Sequence, residues 1–396
     1  MAKIDDSVKK KVPELRFKGF TDDWEERKFK DILKTHSFRS YLAGVSENGE
    51  YEVIQQGDKP IVGYSDGEPF TDYKDVTLFG DHTVSLYKPK SPFFVATDGV
   101  KILSADNFEG NYLYTTLERY KPEPQGYKRH FTILKNQDVW FTENMEEQQK
   151  IGSFFKQLDD TIALHQRKLD LLKEQKKGYL QKMFPKNGAK VPELRFAGFA
   201  DDWEERKLGD EVKINGRIGF RGYTQADIVT KETGVLAYSP TNIVNNRLYR
   251  KQSDTYITKQ KYRESPEIMV KNSDILFVKT GSTLGKSALV QAINYHATVN
   301  PQIVNIRSNE LDEYFLSVIL SSYNILKRIN TIKIGGAIPT MTETELKKFP
   351  IQVPKSTEQK KIGSFFKQLD NTIALHQRKL DLLKEQKKGF LQKMFV

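Results

Sequence analysis

The chain has 396 residues, of which 38% are hydrophobic, which is enough for two or three globular domains. It has no cysteine, no apolar run of about 18 residues and no secretory leader, so disulfides and membrane spans are excluded, and we expect a soluble cytoplasmic protein. The 63 Lys and Arg residues outnumber the 52 Asp and Glu residues, and the net charge of +11 favours a polyanionic partner.

Two segments of the chain are repeated almost unchanged. Residues 11–28 return at 190–207, and residues 150–184 return at 361–395, with two changes in each pair of copies. The inserts between these segments share little sequence, and the second insert is 32 residues longer because the offsets are 179 and 211 residues. Two copies of one frame predict two copies of one docked partner, and two unlike inserts predict two unlike targets. Recent duplication or recombination would produce similar frames without selection for docking.

The first insert contains polar and basic residues that suit a polyanion. Two of them follow the apolar run 77–80, where we expect a strand to end, and the others lie nearby or further along the chain. Hydroxyl groups, backbone N–H groups and lysines at a strand end are natural phosphate ligands. A solvated surface is the alternative for each. The candidates are His82, Thr83, Lys88, Lys90, Lys101, Lys128 and Arg129.

Residues 151–183 predict a long amphipathic helix, because apolar residues recur at alternating steps of four and three. Its length is roughly 50 Å. His165 and His376 fall on the apolar seam, where we interpret them as polar positions that set the register rather than as metal ligands. The seam residues include Phe155, Leu158, Ile162, Leu169 and Leu172 in the first copy, and Phe366, Leu369, Ile373, Leu380 and Leu383 in the second.

The short linker 185–189 places the second insert near the far end of the first helix, so the second helix should run back along the first. This predicts an antiparallel coiled coil with pseudo-twofold symmetry and one globular insert at each end. The inserts would be held several tens of ångströms apart, comparable to the roughly 34–36 Å between DNA half-sites.

The second insert has three clusters that suit a DNA duplex. Residues 217–223 interleave arginines, aromatic residues and glycines, residues 245–251 combine amides with arginines, and residues 279–286 follow the apolar run 275–278. Arginine suits guanine or phosphate, amides suit adenine, and a hydroxyl-rich loop at a strand end suits phosphate. Solvated loops are again the alternative. The candidates are Arg217, Arg221, Tyr223, Asn246, Arg247, Arg250, Lys279, Thr280, Ser282 and Lys286.

Two motifs that would indicate an enzyme are incomplete. The sequence GSTLGKS at 281–287 has three residues between its glycines, where a nucleotide-binding P-loop has four. The sequence VNPQ at 299–302 lacks the second proline and the aromatic residue of the adenine methyltransferase motif, and a turn is the simpler interpretation. We therefore expect no catalytic residue, no metal and no cofactor on this chain.

These features together resemble the specificity subunits of type I restriction-modification enzymes over essentially the whole chain. The resemblance rests on Pro13 to Phe17 with Trp24, on their copies Pro192 to Phe196 with Trp203, and on the Glu-Gln pairs at 147–148 and 358–359. Residues 272–277, 280–286 and 350–354 are similar to the target-recognition domains of that family. The first insert departs from the pattern, since it lacks a Gly-Ser-x-x-Gly-Lys loop and has Phe79 to Thr83 instead.

The resemblance implies a noncatalytic DNA-binding subunit in which each insert reads one half of an asymmetric bipartite target. It implies docking of two modification subunits, which form an adenine N6-methyltransferase, and of restriction subunits, with S-adenosylmethionine, ATP and Mg²⁺ bound by those partners. Trp24 and Trp203 would either anchor the modification subunits or pack locally. The expected segments are a first recognition domain at 1–148, a helix at 149–186, a second recognition domain at 187–358 and a helix at 359–396.

The expected fold is of the mixed α/β (α+β) class, with two globular recognition domains that each precede a long helix. Strand-like runs at 235–238 and 303–306 alternate with a helical stretch at 310–329, which favours short mixed or antiparallel sheets. Two other function classes stay open. The chain could fuse DNA recognition to nuclease or methyltransferase activity, or it could be a coiled-coil scaffold whose inserts dock proteins.

Overall fold

The computed structural model describes residues 12–126, 128–186, 188–334 and 339–396. The chain forms two compact units, one of Met1–Arg167 with Gln377–Val396 and one of Lys168–His376. Both boundaries fall inside the two long helices, so each unit contains the beginning of one helix and the end of the other. The units therefore differ from the four expected segments. Within the described ranges, no helix is long and apolar enough to cross a membrane.

The first unit contains two small sheets and a strand pair. One sheet has the antiparallel order β2-β8-β5-β6, the other has the order β4-β3-β7 with β3 parallel to β7, and β1 pairs antiparallel with β9. Every residue of β5 is buried, as expected of a central strand with a continuous apolar run. The strands are β1 (Glu25–Lys28), β2 (Leu33–His36), β3 (Tyr51–Ile54), β4 (Ile61–Ser65), β5 (Thr77–Gly80), β6 (Leu86–Tyr87), β7 (Phe93–Val95), β8 (Val100–Ala105) and β9 (Asp138–Phe141). The helices are α1 (Phe29–Ile32), α2 (Gly110–Tyr120), α3 (His130–Lys135) and α4 (Met145–Lys182).

The second unit repeats this plan with additions. It has an antiparallel sheet β11-β20-β17-β18, a sheet β12-β16-β13-β19 in which β13 is parallel to β19, a hairpin β14-β15, and the pair β10-β21. The strands are β10 (Glu204–Lys207), β11 (Val212–Gly216), β12 (Ile228–Val229), β13 (Val235–Tyr238), β14 (Ile243–Val244), β15 (Arg247–Leu248), β16 (Thr255–Ile257), β17 (Ile275–Val278), β18 (Ser287–Leu289), β19 (Ala297–Val299), β20 (Ile303–Ser308) and β21 (Pro350–Val353). The helices are α5 (Leu208–Glu211), α6 (Lys259–Arg263), α7 (Glu313–Leu320), α8 (Tyr323–Ile334), α9 (Glu343–Lys347) and α10 (Ser356–Lys393).

The predicted mixed class is confirmed, and the strands expected at 235–238 and 303–306 are present as β13 and β20. The helical stretch expected at 310–329 is present, and it is divided into two helices. The N–H groups of Ser321 and Ser322 donate to Val318 and Ile319, three residues back, which tightens the last turn of α7 and ends it. α8 then starts at Tyr323.

The two long helices pair antiparallel within each unit. In the first unit, the ring of Phe154, early in α4, lies 5.1 Å from that of Phe390, late in α10. In the second unit, Tyr179, late in α4, lies 5.0 Å from Phe365, early in α10. The predicted seam residues are buried or half-buried in both copies, which confirms the heptad pattern as the packed face.

Candidate nucleic-acid interface

A buried ion pair holds each frame segment to its long helix. Arg16 Nε and Nη2 donate to the two carboxylate oxygens of Glu147 at 2.6 and 2.8 Å, and the pair Arg195–Glu358 repeats this geometry at 2.7 and 2.8 Å. The carboxylates are almost fully buried. The hydrogen bond to Glu147 raises the pKa of Arg16, so the guanidinium is charged at any ordinary pH.

The glutamine that follows each of these glutamates holds the insert. In the first unit, the Glu109 N–H donates to Gln148 Oε1 at 2.8 Å, and Gln148 Nε2 donates to the carbonyls of Asn107 and Thr142. In the second unit, the Asp312 N–H donates to Gln359 Oε1 at 3.1 Å. The insert is thus fixed to the helix immediately before α2 or α7.

A lysine on the apolar seam of each long helix forms an ion pair with an aspartate on the facing helix. Lys387 Nζ lies 2.6 Å from Asp159 Oδ1 and also pairs with Glu118, and Lys176 Nζ lies 2.6 Å from Asp370 Oδ1. Burial raises the pKa of Asp159, and the neighbouring Lys387 opposes that shift. These pairs explain how a lysine can occupy a position that the heptad pattern assigns to an apolar residue.

Trp24 and Trp203 pack inside their units. Both are 2% exposed. Trp24 lies edge-on to Tyr112 and Phe395, with ring centroids 6.5 and 5.6 Å away, and Trp203 has the same relation to Phe184 at 5.8 Å. Of the two interpretations of these tryptophans, local packing is therefore favoured over partner anchoring.

The loop after β5 presents His82 and Thr83 at one end of the main sheet of the first unit. Both residues are exposed. The His82 N–H donates to Gln56 Oε1 at 3.0 Å, and the Thr83 and Ser85 hydroxyls are 2.8 Å apart. Val84 has a φ of 57°, which is unfavourable for a β-branched residue, so the loop is held in this shape by its surroundings.

Buried His130 connects that loop to the basic segment 128–129. The Gln125 N–H donates to His130 Nε2 at 2.8 Å, so Nε2 is an acceptor and the proton lies on Nδ1. Nδ1 in turn donates to the Asp81 carbonyl at 3.0 Å, and the Asp81 carboxylate accepts from the Phe131 N–H at 2.9 Å. The imidazole thus contacts both loops through its two ring nitrogens.

These contacts divide the first-unit candidates into two groups. Lys101 lies 3.8 Å from the Asp81 carboxylate, and exposed Lys128 and Arg129 adjoin His130, so these three join His82 and Thr83. Lys88 and Lys90 instead line a separate cleft beside α4. Lys88 Nζ donates to the carbonyls of Lys74 and Val76, and burial lowers its pKa to about 8.

In the second unit, two of the predicted clusters meet at one end of the sheet β11-β20-β17-β18. The pairs Gly216↔Val304 and Val278↔Ile303 place the ends of β11 and β17 together. Arg221 and Tyr223 are partly exposed there, but Arg217 is 5% exposed. The guanidinium of Arg217 donates to the Val299 carbonyl and the Thr298 hydroxyl, and burial lowers its pKa. Arg217 therefore supports the loop from inside.

The loop 279–286 is shaped by glycines and an ion pair. Gly281 and Gly285 have φ values of 99° and 90°, which side-chain-bearing residues rarely adopt. Lys279 Nζ lies 3.1 Å from Glu343 Oε1, and Thr280 forms a β-bridge with Thr340. Ser282 and Lys286 are exposed at the tip of the loop.

The third cluster lies on the hairpin β14-β15. Asn245 and Asn246 have φ values of 50° and 60°, as a type I′ hairpin turn requires. The Asn246 amide contacts Ser321, and Arg247 Nη2 donates to the Asp370 carbonyl at 2.6 Å. Arg250 Nη2 donates to the Tyr256 hydroxyl at 2.8 Å and lies 4.7 Å from the centre of the Tyr295 ring. These side chains contact protein, and the hairpin is docked on α10.

The repeated frames, the paired helices and the dissimilar loops agree with the comparisons with known proteins. Residues 21–174 and 200–385 match the family model described as the type I restriction modification DNA specificity domain. The chain belongs to this family. The expected resemblance to type I specificity subunits is therefore confirmed.

Individual members of the family are distant in sequence. The chain is similar to the type I restriction enzyme MjaVIII specificity subunit of Methanocaldococcus jannaschii, at 22% identity over 62% of this chain and 59% of that protein. It is also similar to the putative type I restriction enzyme MjaX specificity subunit of the same organism, at 22% identity over 62% of this chain and 56% of that protein. The chain thus spans less than two thirds of the length of these relatives.

A solved structure shows the shared fold over a greater length. The type I restriction-modification system S subunit from M. genitalium matches with a TM-score of 0.67 at 14% identity, over 97% of this chain and 99% of that chain. The fold of the specificity-domain family is therefore present in full, although few residues are identical.

The sequence patterns missed several side chains that shape this specificity-domain protein. His130 joins two loops, and no local sequence signal distinguishes it from the basic residues beside it. The long helices also expose Leu164, Leu171, Leu375 and Leu382, each between 52% and 65%. These leucines could have been found, because they recur in both copies and lie off the seam. Among the described residues, no group of three His, Asp or Glu side chains is arranged to hold a metal.

Proposed function

We propose that this member of the specificity-domain family reads an asymmetric bipartite DNA sequence, one half with each unit, and carries no catalytic site. The observation that carries the proposal is the contrast between frame and insert. The frame contacts Arg16–Glu147 and Arg195–Glu358 are the same in both units, whereas the loops at the sheet ends differ in sequence and shape. Identical supports with dissimilar loops suit the reading of two dissimilar half-sites.

The proposed DNA contacts are the exposed or partly exposed polar and basic residues at the two sheet ends. Backbone phosphates suit the lysines and hydroxyls, and arginine forks suit guanine or phosphate. Arg217 is left out because its guanidinium is buried on the Val299 carbonyl. Lys88 is left out because it lies in the cleft beside α4, where its Nζ donates to two backbone carbonyls. Lys90, Asn246, Arg247 and Arg250 lie at the clefts beside the long helices and are not part of this surface. The proposed set is His82, Thr83, Lys101, Lys128, Arg129, Arg221, Tyr223, Lys279, Thr280, Ser282 and Lys286.

The proposed partners are two modification subunits, which would form the adenine N6-methyltransferase, and restriction subunits. S-adenosylmethionine, ATP and Mg²⁺ would be bound by these partners. The support for two equal docking surfaces is an exposed leucine at the same repeat position in each unit, Leu164 in the first and Leu375 in the second. Exposed apolar side chains that recur in both copies suit a protein interface.

Methylome sequencing tests the proposed function. Cells that carry this chain with its modification subunit are compared with cells that carry the modification subunit alone. We expect methyladenine at a split asymmetric motif, one half of which changes when residues 29–137 are exchanged for the insert of another family member. An active complex without a new motif would contradict DNA reading and favour a scaffold, and methyl transfer by the purified chain alone would contradict the absence of a catalytic site.

Co-purification tests the docking surfaces. Leu164→Ser with Leu375→Ser, one change in each copy, should weaken the capture of the modification subunit at both proposed surfaces. Leu326→Ser is the control, because Leu326 is an exposed leucine outside the repeated helices. Equal capture by both variants would contradict docking through these leucines while leaving DNA reading intact.

A further inference from the structure

A cleft in the second unit lies between the hairpin β14-β15, α7 and the facing parts of α4 and α10. Its volume is about 260 Å³. It holds the hairpin residues Arg247 and Arg250, which the proposed DNA-reading surface does not use. Lys176 reaches it from α4 and Lys367 from α10.

The charges on the described lining residues of this cleft are strongly unbalanced. Four cations face one carboxylate, that of Asp370, whose Oδ1 already pairs with Lys176 at 2.6 Å. The other cations have neutral partners. Arg247 donates to a backbone carbonyl, Arg250 donates to a tyrosine hydroxyl, and Lys367 Nζ lies 4.4 Å from the centre of the Tyr314 ring. Asp254 and Glu313 act on Arg250 and Lys367 from outside the lining.

The walls of the cleft are aromatic and fixed. The hydroxyls of Tyr238 and Tyr295 are 2.7 Å apart, and Arg250 covers the Tyr295 ring. Tyr314 stands on α7 beneath Lys367. Arg250 and Lys367 each use a donor on a tyrosine hydroxyl, that of Tyr256 and of Tyr314. A guanidinium and an ammonium each carry several N–H donors, so both side chains keep donors for an anion.

The equivalent cleft of the first unit has no such imbalance. It lies against Lys156, Asp159 and Asp160, which correspond in the repeat to Lys367, Asp370 and Asn371. Its volume is about 760 Å³, and its described lining carries four lysines and four carboxylates. Lys156 there pairs with Asp160 at 2.9 Å, whereas in the second unit Asn371 offers no charge to Lys367. The excess of positive charge therefore comes from the second insert and from the change of Asp160 to Asn371.

We propose that the cleft of the second unit binds a phosphate group. Beyond the Lys176–Asp370 ion pair, three cations line this small concave volume. A dianionic phosphate with several acceptor oxygens would offset their charge and accept charge-assisted hydrogen bonds from Arg247, Arg250 and Lys367. The phosphate comes either from a free nucleotide or from the DNA backbone. Only the second source depends on the proposed function.

Isothermal titration of the full-length chain with adenosine monophosphate and with inorganic phosphate, at constant ionic strength in chloride buffer, tests the site. We expect Lys367→Gln and Arg250→Gln each to weaken the binding of adenosine monophosphate about 10-fold, the size of one lost charge-assisted contact. Lys156→Gln is the matched control, because it removes the equivalent lysine of the first unit, and it should leave the affinity unchanged. Circular dichroism of each variant verifies the fold.

A second arm measures duplex DNA binding by the same variants in the assembled complex. Nucleotide binding that is lost in Lys367→Gln while DNA affinity is retained assigns the site to a free nucleotide. DNA affinity that is lost in Lys367→Gln but not in Lys156→Gln, without nucleotide binding, assigns it to the DNA backbone. If neither ligand distinguishes these variants, the proposal is overturned. If the wild-type complex binds no DNA, the proposed function fails. The calorimetric titration still shows whether the cleft binds a phosphate group.

Discussion

Arg16 and Glu147 lie 131 residues apart in sequence and meet in a buried, bidentate ion pair, with N···O distances of 2.6 and 2.8 Å. Arg16 Nη1 also donates to the Asp22 carbonyl at 2.7 Å, so one guanidinium holds the frame segment in shape and joins it to α4. Arg195 and Glu358 do the same in the second unit. The ends of each insert are thereby closed onto a long helix whose repeated segment differs at only two positions between the copies.

Arg16→Ala should destabilise the first unit by about 3 kcal/mol, because it leaves the Glu147 carboxylate buried without its partner. Urea unfolding measures the change. Lys34→Ala is the control, since Lys34 and Asp106 form an exposed pair that should contribute less than about 1 kcal/mol. A loss for Arg16→Ala no larger than the control would show that water replaces the arginine.

Gly152→Ala and Gly363→Ala should each destabilise the chain, although alanine is the better helix former. A Cβ at Gly152 would lie 2.8 Å from the Tyr112 backbone nitrogen and against Glu109, and a Cβ at Gly363 would lie 3.0 Å from the Phe315 backbone nitrogen. The glycines let the first turn of α2 or α7 approach the long helix directly.

Gly178→Ala and Gly389→Ala are matched controls on the same two helices, because a Cβ at either position meets nothing within 4 Å. They should stabilise the chain by about 0.5–1 kcal/mol through helix propensity alone. Thermal unfolding of the four variants shows whether each substitution raises or lowers the melting temperature. Equal changes in all four would rule out a role for the close approach of α2 and α7 to the long helices.

Lys88 should make the first unit more stable as the pH rises above 8. Burial lowers its pKa in the folded chain to about 8, against 10.5 for the ordinary side chain, so between these values the unfolded chain binds more protons than the folded chain. Stability contributed by this group therefore rises with pH through that window. A neutral amine retains two N–H groups for the carbonyls of Lys74 and Val76.

Urea unfolding of the wild type and of Lys88→Met at pH 7.5 and at pH 9.5 measures this linkage. The unfolding free energy of the wild type, relative to that of Lys88→Met, should be larger at the higher pH. The contributions of the other titrating groups are the same in both proteins and cancel in this difference. A difference that does not change with pH would mean that Lys88 keeps its proton throughout the window.

Lys286→Ala in the second unit and Arg129→Ala in the first should each weaken duplex binding and reduce the salt dependence of the affinity by about one released counterion. Both side chains are exposed at the proposed DNA surfaces. Lys173→Ala, an exposed lysine on α4, is the control for net charge. Fluorescence anisotropy at several salt concentrations measures the slope. If all three variants show the same dependence of affinity on salt concentration, the DNA does not contact Lys286 or Arg129.

The repeats could be predicted because they appear when the sequence is compared with itself. The periodicity of the long helices could be predicted because it depends only on residues that are close in the chain. The seam from Ile151 to Met183 needs only the spacing of apolar residues, and the antiparallel direction needs only the short linker that follows it. The strand β13 was found in the same way. The break between α7 and α8 was not, since two consecutive serines do not by themselves stop a helix, and the bonds that end α7 are made by their backbone N–H groups.

The sequence by itself determined the two-copy frame, the long helices, the mixed class and the family, because each of these follows from residue order alone. Only the tertiary structure decided which charged residues are buried and which reach the surface. Arg217 and Arg221 stand four residues apart in one basic loop, yet the first is buried on the Val299 carbonyl and the second is partly exposed. Burial and hydrogen-bond partners come from segments distant in the chain, so residue type and spacing cannot assign them.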